Sequence, residues 1–139
     1  MTLELHATPQ EVMRAVEALR EFASSEGVTE KCIFSLALAL EECGSNVVNY
    51  ALQGDASQVF QVDFECSGGS FVIELRDRGP EFDPTATAER PFQANDDDVP
   101  GGWGIHLVRR SVDDIRYQRV ANENVLRLTK RLNAIEGQS

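Results

Sequence analysis

Three short stretches of this 139-residue chain hold residues whose types and spacing suit the handling of a polar ligand. In the first, Ile33 to Leu52, Glu42, Asn46 and Asn49 follow one another about a turn apart. Residues three and four apart share a helix face, so a carboxylate and two amides stack there. A carboxylate accepts protons, and both groups are hard oxygen ligands of the kind magnesium takes. A solvated polar face is the plain alternative. The second stretch is Asp77-Arg78-Gly79, a carboxylate ending an alternating run, with a glycine where backbone can approach a flat ligand. A buried Asp there accepts from an exocyclic amine such as that of adenine, whereas an exposed one merely starts a turn. The third is Gly101-Gly102-Trp103-Gly104, where loop gives way to helix. Backbone N–H groups free of side chains surround phosphate oxygens well, and a helix N-terminus adds favourable partial charge. Glycine-rich turns also occur without any ligand.

The rest of the chain must position these residues. Alternation over Thr2 to Ala7 predicts a short strand with Leu3 and Leu5 on one face. Thr8-Pro9-Gln10-Glu11 has the spacing of a capped helix start, and that helix buries Val12, Val16, Leu19 and Phe22 before stopping at Gly27. Thr29 caps the central helix. Its buried stripe is Ile33, Leu36, Leu40, Cys43 and Val47, with Phe34 and Leu38 making its first half apolar on the far side too, so burial is expected on most of its circumference. Glu42, Asn46 and Asn49 stack on the side away from the stripe, and the helix ends near Gly54-Asp55. Val59 to Cys66 and Phe71 to Asp77 alternate on either side of Ser67-Gly68-Gly69-Ser70, which predicts an antiparallel pair. From Arg78 to Gly102 regular pattern yields to prolines at 80, 84, 91 and 100 and the run Asp96-Asp97-Asp98. So long a loop serves as a lid or binding loop, or is disordered; a short helical turn is expected near Ala86 to Glu89. Trp103 to Val112 reads as an amphipathic helix burying Ile105, Leu107, Val108 and Val112. Asp113 to Val120 and Asn124 to Arg131 come next as strands around Ala121-Asn122-Glu123. The expected organisation is a single domain over 1–133, a lid over about 79–102 and a frayed polar tail over 134–139.

Composition narrows the function classes. A net charge of −10 argues against direct nucleic-acid binding, which needs clustered Lys and Arg. It fits protein partners better. Polar residues interrupt the central helix, so no stretch is suited to crossing a membrane, and the N-terminus lacks the pattern of a secretory signal. A cytoplasmic location is expected. Cys32, Cys43 and Cys66 have no C-x-x-C pairing and read as small core residues rather than a zinc site or disulfide frame.

Taken in the order E-x-x-x-N, D-x-G-x-x-F-D-P and G-G-x-G, the chain closely resembles the gyrase and histidine-kinase type of ATPase superfamily. Within it, LEECGSNVVNYAL, LRDRGPEFDP, GGWGIHLVRRSVDDIRY and NVLRLTKRL resemble the anti-sigma-factor serine/threonine kinases of bacterial partner-switching systems. The resemblance spans nearly the whole chain. It implies an α+β fold, a two-layer sandwich of Bergerat type whose mixed, mainly antiparallel sheet is covered on one face by helices, with a long ATP lid. It implies ATP and magnesium as cofactors, Asn46 as metal ligand and Glu42 as the general base that takes the proton of a substrate hydroxyl. Asp77 would bind the adenine amine, with Gly79 giving the base room. Asn49, Phe82, Gly101, Gly102, Trp103, Gly104 and Ile105 would complete the nucleotide contacts. The implied partners are a small anti-anti-sigma protein as phosphoacceptor and a sigma factor or other regulator held in alternation, with a homodimer as a further expectation. A nucleotide-gated binding module with little or no kinase activity is the competing reading. Departures from the family pattern fall at Tyr50, usually histidine; Glu81, usually glycine; Trp103, usually aliphatic; and Val125, near where a threonine commonly supports the adenine-binding aspartate.

Overall fold

Two alternating runs meet across a tight turn at the centre of the sheet. In the computed structural model, which describes residues 1–89 and 102–132, β2 (Val59–Ser67) and β3 (Ser70–Asp77) pair antiparallel with Ser67 opposite Ser70. Gly68 and Gly69 alone make the turn, both at positive φ. That backbone matches the twist of the strands, and glycine adopts it without a Cβ penalty.

The other strands add outward from this pair. β1 (Thr2–His6) lies along β2, while β5 (Glu123–Arg131) lies along β3 and carries β4 (Asp114–Val120) on its far side. The sheet order is β1-β2-β3-β5-β4, and every described pairing is antiparallel. No described pair supplies the parallel component expected of a mixed sheet. Because side chains alternate across a strand, Phe60, Val62 and Phe64 of β2 and Phe71, Ile73 and Leu75 of β3 form one buried face.

Three helices cover that face. α1 (Pro9–Ser25) starts as expected: the Thr8 hydroxyl accepts the Glu11 N–H at 3.2 Å, and the Glu11 carboxylate accepts the His6 N–H at 3.1 Å. α2 (Glu30–Asn46), capped by Thr29, packs against both α1 and α3 (Gly102–Ser111). Gly44 permits close approach to α1, since a Cβ there would stand 3.0 Å from Val12. α2 buries Ile33, Leu36, Leu40 and Cys43 as expected, but Phe34 is 60% exposed and Leu38 half-buried. Likewise α3 buries Ile105 and Val108 while Leu107 faces solvent. Among the described residues no helix is long and apolar enough to cross a membrane.

α2 does not simply stop. It widens into a turn of π-helix over Val47–Ala51, closed by the Leu52 N–H on the Val47 carbonyl at 2.8 Å, before Gly54 ends it at positive φ. Such wide turns shift the angular register of the residues beyond them and recur at functional sites. A 3₁₀ turn occupies Pro84–Glu89, where a helical turn was expected in the lid. The remainder of the expected lid, 90–101, and the tail, 134–139, lie outside the described residues.

Candidate nucleotide site

The sheet register brings Asp77, the last residue of β3, opposite Asn124, the second residue of β5. Both are buried, at 4% and 3% exposure. A buried polar group is costly unless hydrogen-bonded, and Asn124 meets that demand fully. Its Nδ2 donates to Asp77 Oδ1 and to the Pro80 carbonyl, each at 2.9 Å. Its Oδ1 accepts the Phe82 N–H at 3.1 Å and the Tyr117 hydroxyl at 2.5 Å. An asparagine amide has two donor hydrogens and two acceptor lone pairs, so this one is saturated and its orientation fixed.

Asp77 is held on one side only. Oδ1 accepts from Asn124 and from the Gly79 N–H at 2.9 Å, whereas no described hydrogen bond reaches Oδ2. Burial pushes the carboxyl above its usual range, and the donors from Asn124 and Gly79, with Arg119 nearby, oppose that shift. Arg119 also donates to the Gly79 carbonyl at 2.8 Å and so pins the chain just past the aspartate. At Gly79 itself a Cβ would collide with the carbonyl of Ala51, the last residue of the π turn.

Facing this cluster is the end of α2. Asn46 is 7% exposed, and among the described residues its Nδ2 has no hydrogen-bond partner. Glu42 stands one turn earlier, about 6 Å along the axis. It is half-buried, and that burial, followed by the charge of Glu41, raises its affinity for a proton. Between α2 and the sheet lies a pocket of about 280 Å³, counting the part open to solvent, lined by Asn46, Asp77, Phe82, Tyr117 and Asn124 over an apolar floor of Leu75 and Leu126. Cys43 also lines it; burial pushes its thiol up to about 12, so it is neutral there.

The structure thus brings Asn46, Asp77, Gly79 and Phe82 together, with Glu42 one turn away. Asn49 parts from them: beyond the π turn's onset it is exposed and does not line the pocket. Asn46, conversely, shares the pocket with Cys43 and Val47 of the apolar stripe instead of lying on the side away from it. Gly102, Trp103 and Gly104 open α3, and Gly101 lies outside the described residues. Ile105 is wholly buried in the core, which leaves only its backbone for a ligand. Tyr50, where relatives were expected to carry histidine, stacks on Phe82 with ring centroids 5.9 Å apart.

Sequence reasoning missed Asn124 and Tyr117. It placed Val125 near the position from which a threonine commonly supports the aspartate, a departure from the family pattern, but Val125 pairs with Arg76 and so points to the opposite face of the sheet. The available signal was the polar residue directly after a tight turn, which reads as ordinary turn chemistry until the β3–β5 register is known.

These groups fit a magnesium-bound adenine nucleotide. Asp77 Oδ2 is an uncommitted acceptor for an exocyclic amine, Gly79 leaves room where a side chain would intrude, and Asn46 is a buried amide with unused hydrogen-bonding capacity. Among the described residues no cluster of three His, Cys, Asp or Glu side chains forms. A metal here would therefore take most of its oxygens from phosphates and water, as magnesium does in nucleotide sites.

Fold and site define a nucleotide-binding sandwich, and the match to a family model bears on which one. Residues 5–130 match the histidine kinase-like ATPase domain, and the chain belongs to that family. Within it, the chain is 28% identical over 129 residues to the serine/threonine-protein kinase BtrW of Bordetella bronchiseptica, covering 92% of this chain and 91% of that one. It is 25% identical over 138 residues to the serine-protein kinase RsbW of Listeria innocua, covering 96% and 87%. The fold is shared with a Pseudomonas aeruginosa SiaB–SiaC complex chain, at TM-score 0.69, 14% identity and coverage of 93% of this chain and 88% of that one. It is also shared with the RsbU and RsbW domains of a Mycobacterium tuberculosis protein, at TM-score 0.62 and 21% identity, where 95% of this chain covers 32% of that longer one.

Proposed function

We propose that this protein is an ATP-dependent serine/threonine kinase that phosphorylates a small anti-anti-sigma protein and, in alternation, sequesters a sigma factor or another regulator. The observation that carries the proposal is the placement of Asn46 and Asp77 across one pocket, with Glu42 a turn beyond Asn46 on the same helix. The similarity to serine kinases over nearly the full length supports the same reading. Magnesium-bound ATP supplies a phosphoryl group whose charge the metal offsets, and transfer then depends chiefly on position and electrostatics.

Each residue has a part in that positioning. Asp77 Oδ2 accepts the base amine, and the Gly79 backbone lets the ring lie close. Asn46 offers its amide oxygen to the metal. Glu42 takes the proton from the incoming serine or threonine hydroxyl; partial burial raises its proton affinity toward the value a base working near neutrality needs. The N-terminal turn of α3, beginning at Gly102, is the helix start whose backbone N–H groups would meet phosphate oxygens.

Incubating the purified protein with labelled ATP, magnesium and a candidate partner tests the proposal. Glu42→Ala is expected to lose about 10²–10⁴ in transfer while keeping ATP affinity. Asn46→Ala is expected to lose magnesium-dependent binding and transfer together. Full transfer by Glu42→Ala would remove the base from the scheme. ATP binding without transfer to any partner would favour the nucleotide-gated module.

A further inference from the structure

The sheet register places an amide, not the hydroxyl or aliphatic group anticipated nearby, against the buried carboxyl of Asp77. We propose, on the reading of this pocket as an adenine-nucleotide site, that Asn124 is the positioning residue that sets base selectivity, holding Asp77 with one oxygen turned to the ligand and tying it to the root of the lid. Three observations carry this. Asn124 Nδ2 occupies Asp77 Oδ1 together with the Gly79 N–H, so only Oδ2 is left to meet a base. The same amide holds the Pro80 carbonyl and the Phe82 N–H, the first residues of the loop, so the carboxylate and the loop cannot shift independently. Finally, the Phe82 N–H can only donate and the Pro80 carbonyl can only accept, which prevents the amide from flipping to present oxygen to the carboxylate, while the Tyr117 hydroxyl fills the last acceptor position on Oδ1 of Asn124.

Selection then rests on charge and on donor direction. An ionised carboxylate fixed in this way accepts from a 6-amino purine and repels the carbonyl of a 6-oxo purine. Without the amide donor, Asp77 is held by the Gly79 N–H alone and is more readily protonated, and a protonated carboxyl can donate to a 6-oxo group. The other groups facing it from the packed elements are Arg119 and Tyr117 of β4, Glu123 of β5 and Cys43 of α2. Arg119 favours the ionised form, Glu123 opposes it, and the Cys43 thiol is neutral.

The test compares ATP with inosine triphosphate, by equilibrium binding with magnesium, in the full chain and in Asn124→Thr and Asn124→Val. These two replacements have the same shape and suit a strand, but only threonine keeps a donor for Asp77. The wild type is expected to prefer ATP by roughly a hundredfold, since a site built to hydrogen-bond a substrate group rejects an analogue lacking it. Asn124→Val is expected to lose about tenfold to a hundredfold of that ratio, as when a hydrogen bond to a charged group is removed. Asn124→Thr is expected to restore most of it. Asn124→Asp, which changes the fewest atoms, decides in place of valine if that variant fails to fold, and is expected to lose the ratio at neutral pH. An unchanged ratio in the variant lacking the donor, or equal ratios for threonine and valine, overturns the role of Asn124. A wild type that binds neither nucleotide instead strikes the reading of the pocket itself.

Discussion

The two walls of the pocket are built on opposite principles. On the sheet side, Asp77, Asn124, Tyr117, Arg119 and the backbone of 79–82 form a hydrogen-bonded unit in which Asn124 has no capacity to spare. On the helix side, Asn46 is also buried yet keeps an amide nitrogen without a partner among the described residues, and burial disfavours the charge on Glu42. A satisfied network holds its shape before any ligand arrives, whereas unsatisfied buried groups cost free energy until one does. Under the proposed function, the difference would give recognition of the base to the sheet and leave the helix end to be completed by metal and phosphate. The walls meet where Gly79 lies against the Ala51 carbonyl, so the π turn that ends one is also the stop for the other.

The largest expected effect that would break this contrast comes from Asp77→Asn. Asparagine keeps an acceptor for Asn124 and Gly79 but can turn an N–H toward the base, so ATP affinity should fall by about a hundredfold or more. Stability should move the other way. The Asp77 pKa is raised in the folded protein, so the folded state holds its proton more tightly than the unfolded one, and the group's cost grows as pH rises from the unfolded toward the folded value. Above that window the cost is fully present. Ligand-free Asp77→Asn should therefore unfold at a temperature equal to or above the wild type at neutral pH, with the difference vanishing in acid. A clearly lower melting temperature at neutral pH would mean that the carboxylate stabilises the sheet wall, and the division between recognition and stability would not hold.

Much of this arrangement was legible in the sequence because local signals set it. The Thr8 and Thr29 caps, the Gly68-Gly69 turn, and the alternation of β2 and β3 each depend on residues close in the chain, and α1, β2 and β3 end within a residue or two of their expected limits, whereas α2 gives way to the π turn at Val47. Glu42, Asn46 and Asp77 could be singled out by residue type and spacing, although Asn46 shares its pocket with Cys43 and Val47 and does not lie away from the apolar stripe as helical periodicity predicts. What could not be read was non-local or irregular. Asn124 meets Asp77 only because β5 lies beside β3, an adjacency between strands 47 residues apart at this point. Asn49 was misplaced because an α-helical period was carried across a π turn. Phe34 and Leu107 were assigned to the core on residue type, but helix position leaves both exposed.

A smaller effect tests the contact between the walls. Gly79→Ala introduces a Cβ against backbone, which cannot yield as a flexible side chain can, and sets it 3.1 Å from Asp77 Oδ1. Overpacking of this kind costs about 1–3 kcal/mol, measurable as a drop of several degrees in melting temperature. Because the Gly79 N–H also orients Asp77, ATP affinity should fall with it. Lost stability with unchanged affinity would show that the sheet wall holds its geometry without the π turn behind it.

The smallest expected effect concerns how Asn124 reaches its place. β4 and β5 join through Ala121 and Asn122 alone, since Val120 pairs with Glu123, and both turn residues have positive φ, 50° and 67°. This is the backbone that strand twist demands of a two-residue turn, and Asn122 tolerates it. Ala121 does not: a Cβ in the left-handed region costs about 1–2 kcal/mol. Ala121→Gly relieves that strain while adding freedom to the unfolded chain, so a net gain of roughly 0.5–1 kcal/mol is expected, seen as a rise of a few degrees in melting temperature. Affinity for ATP should not change, because hydrogen bonds and buried side chains, not the turn, hold Asn124 opposite Asp77. A loss of affinity alongside the gain in stability would mean that the strained turn sets the register, and that the sheet wall owes its preorganisation to it.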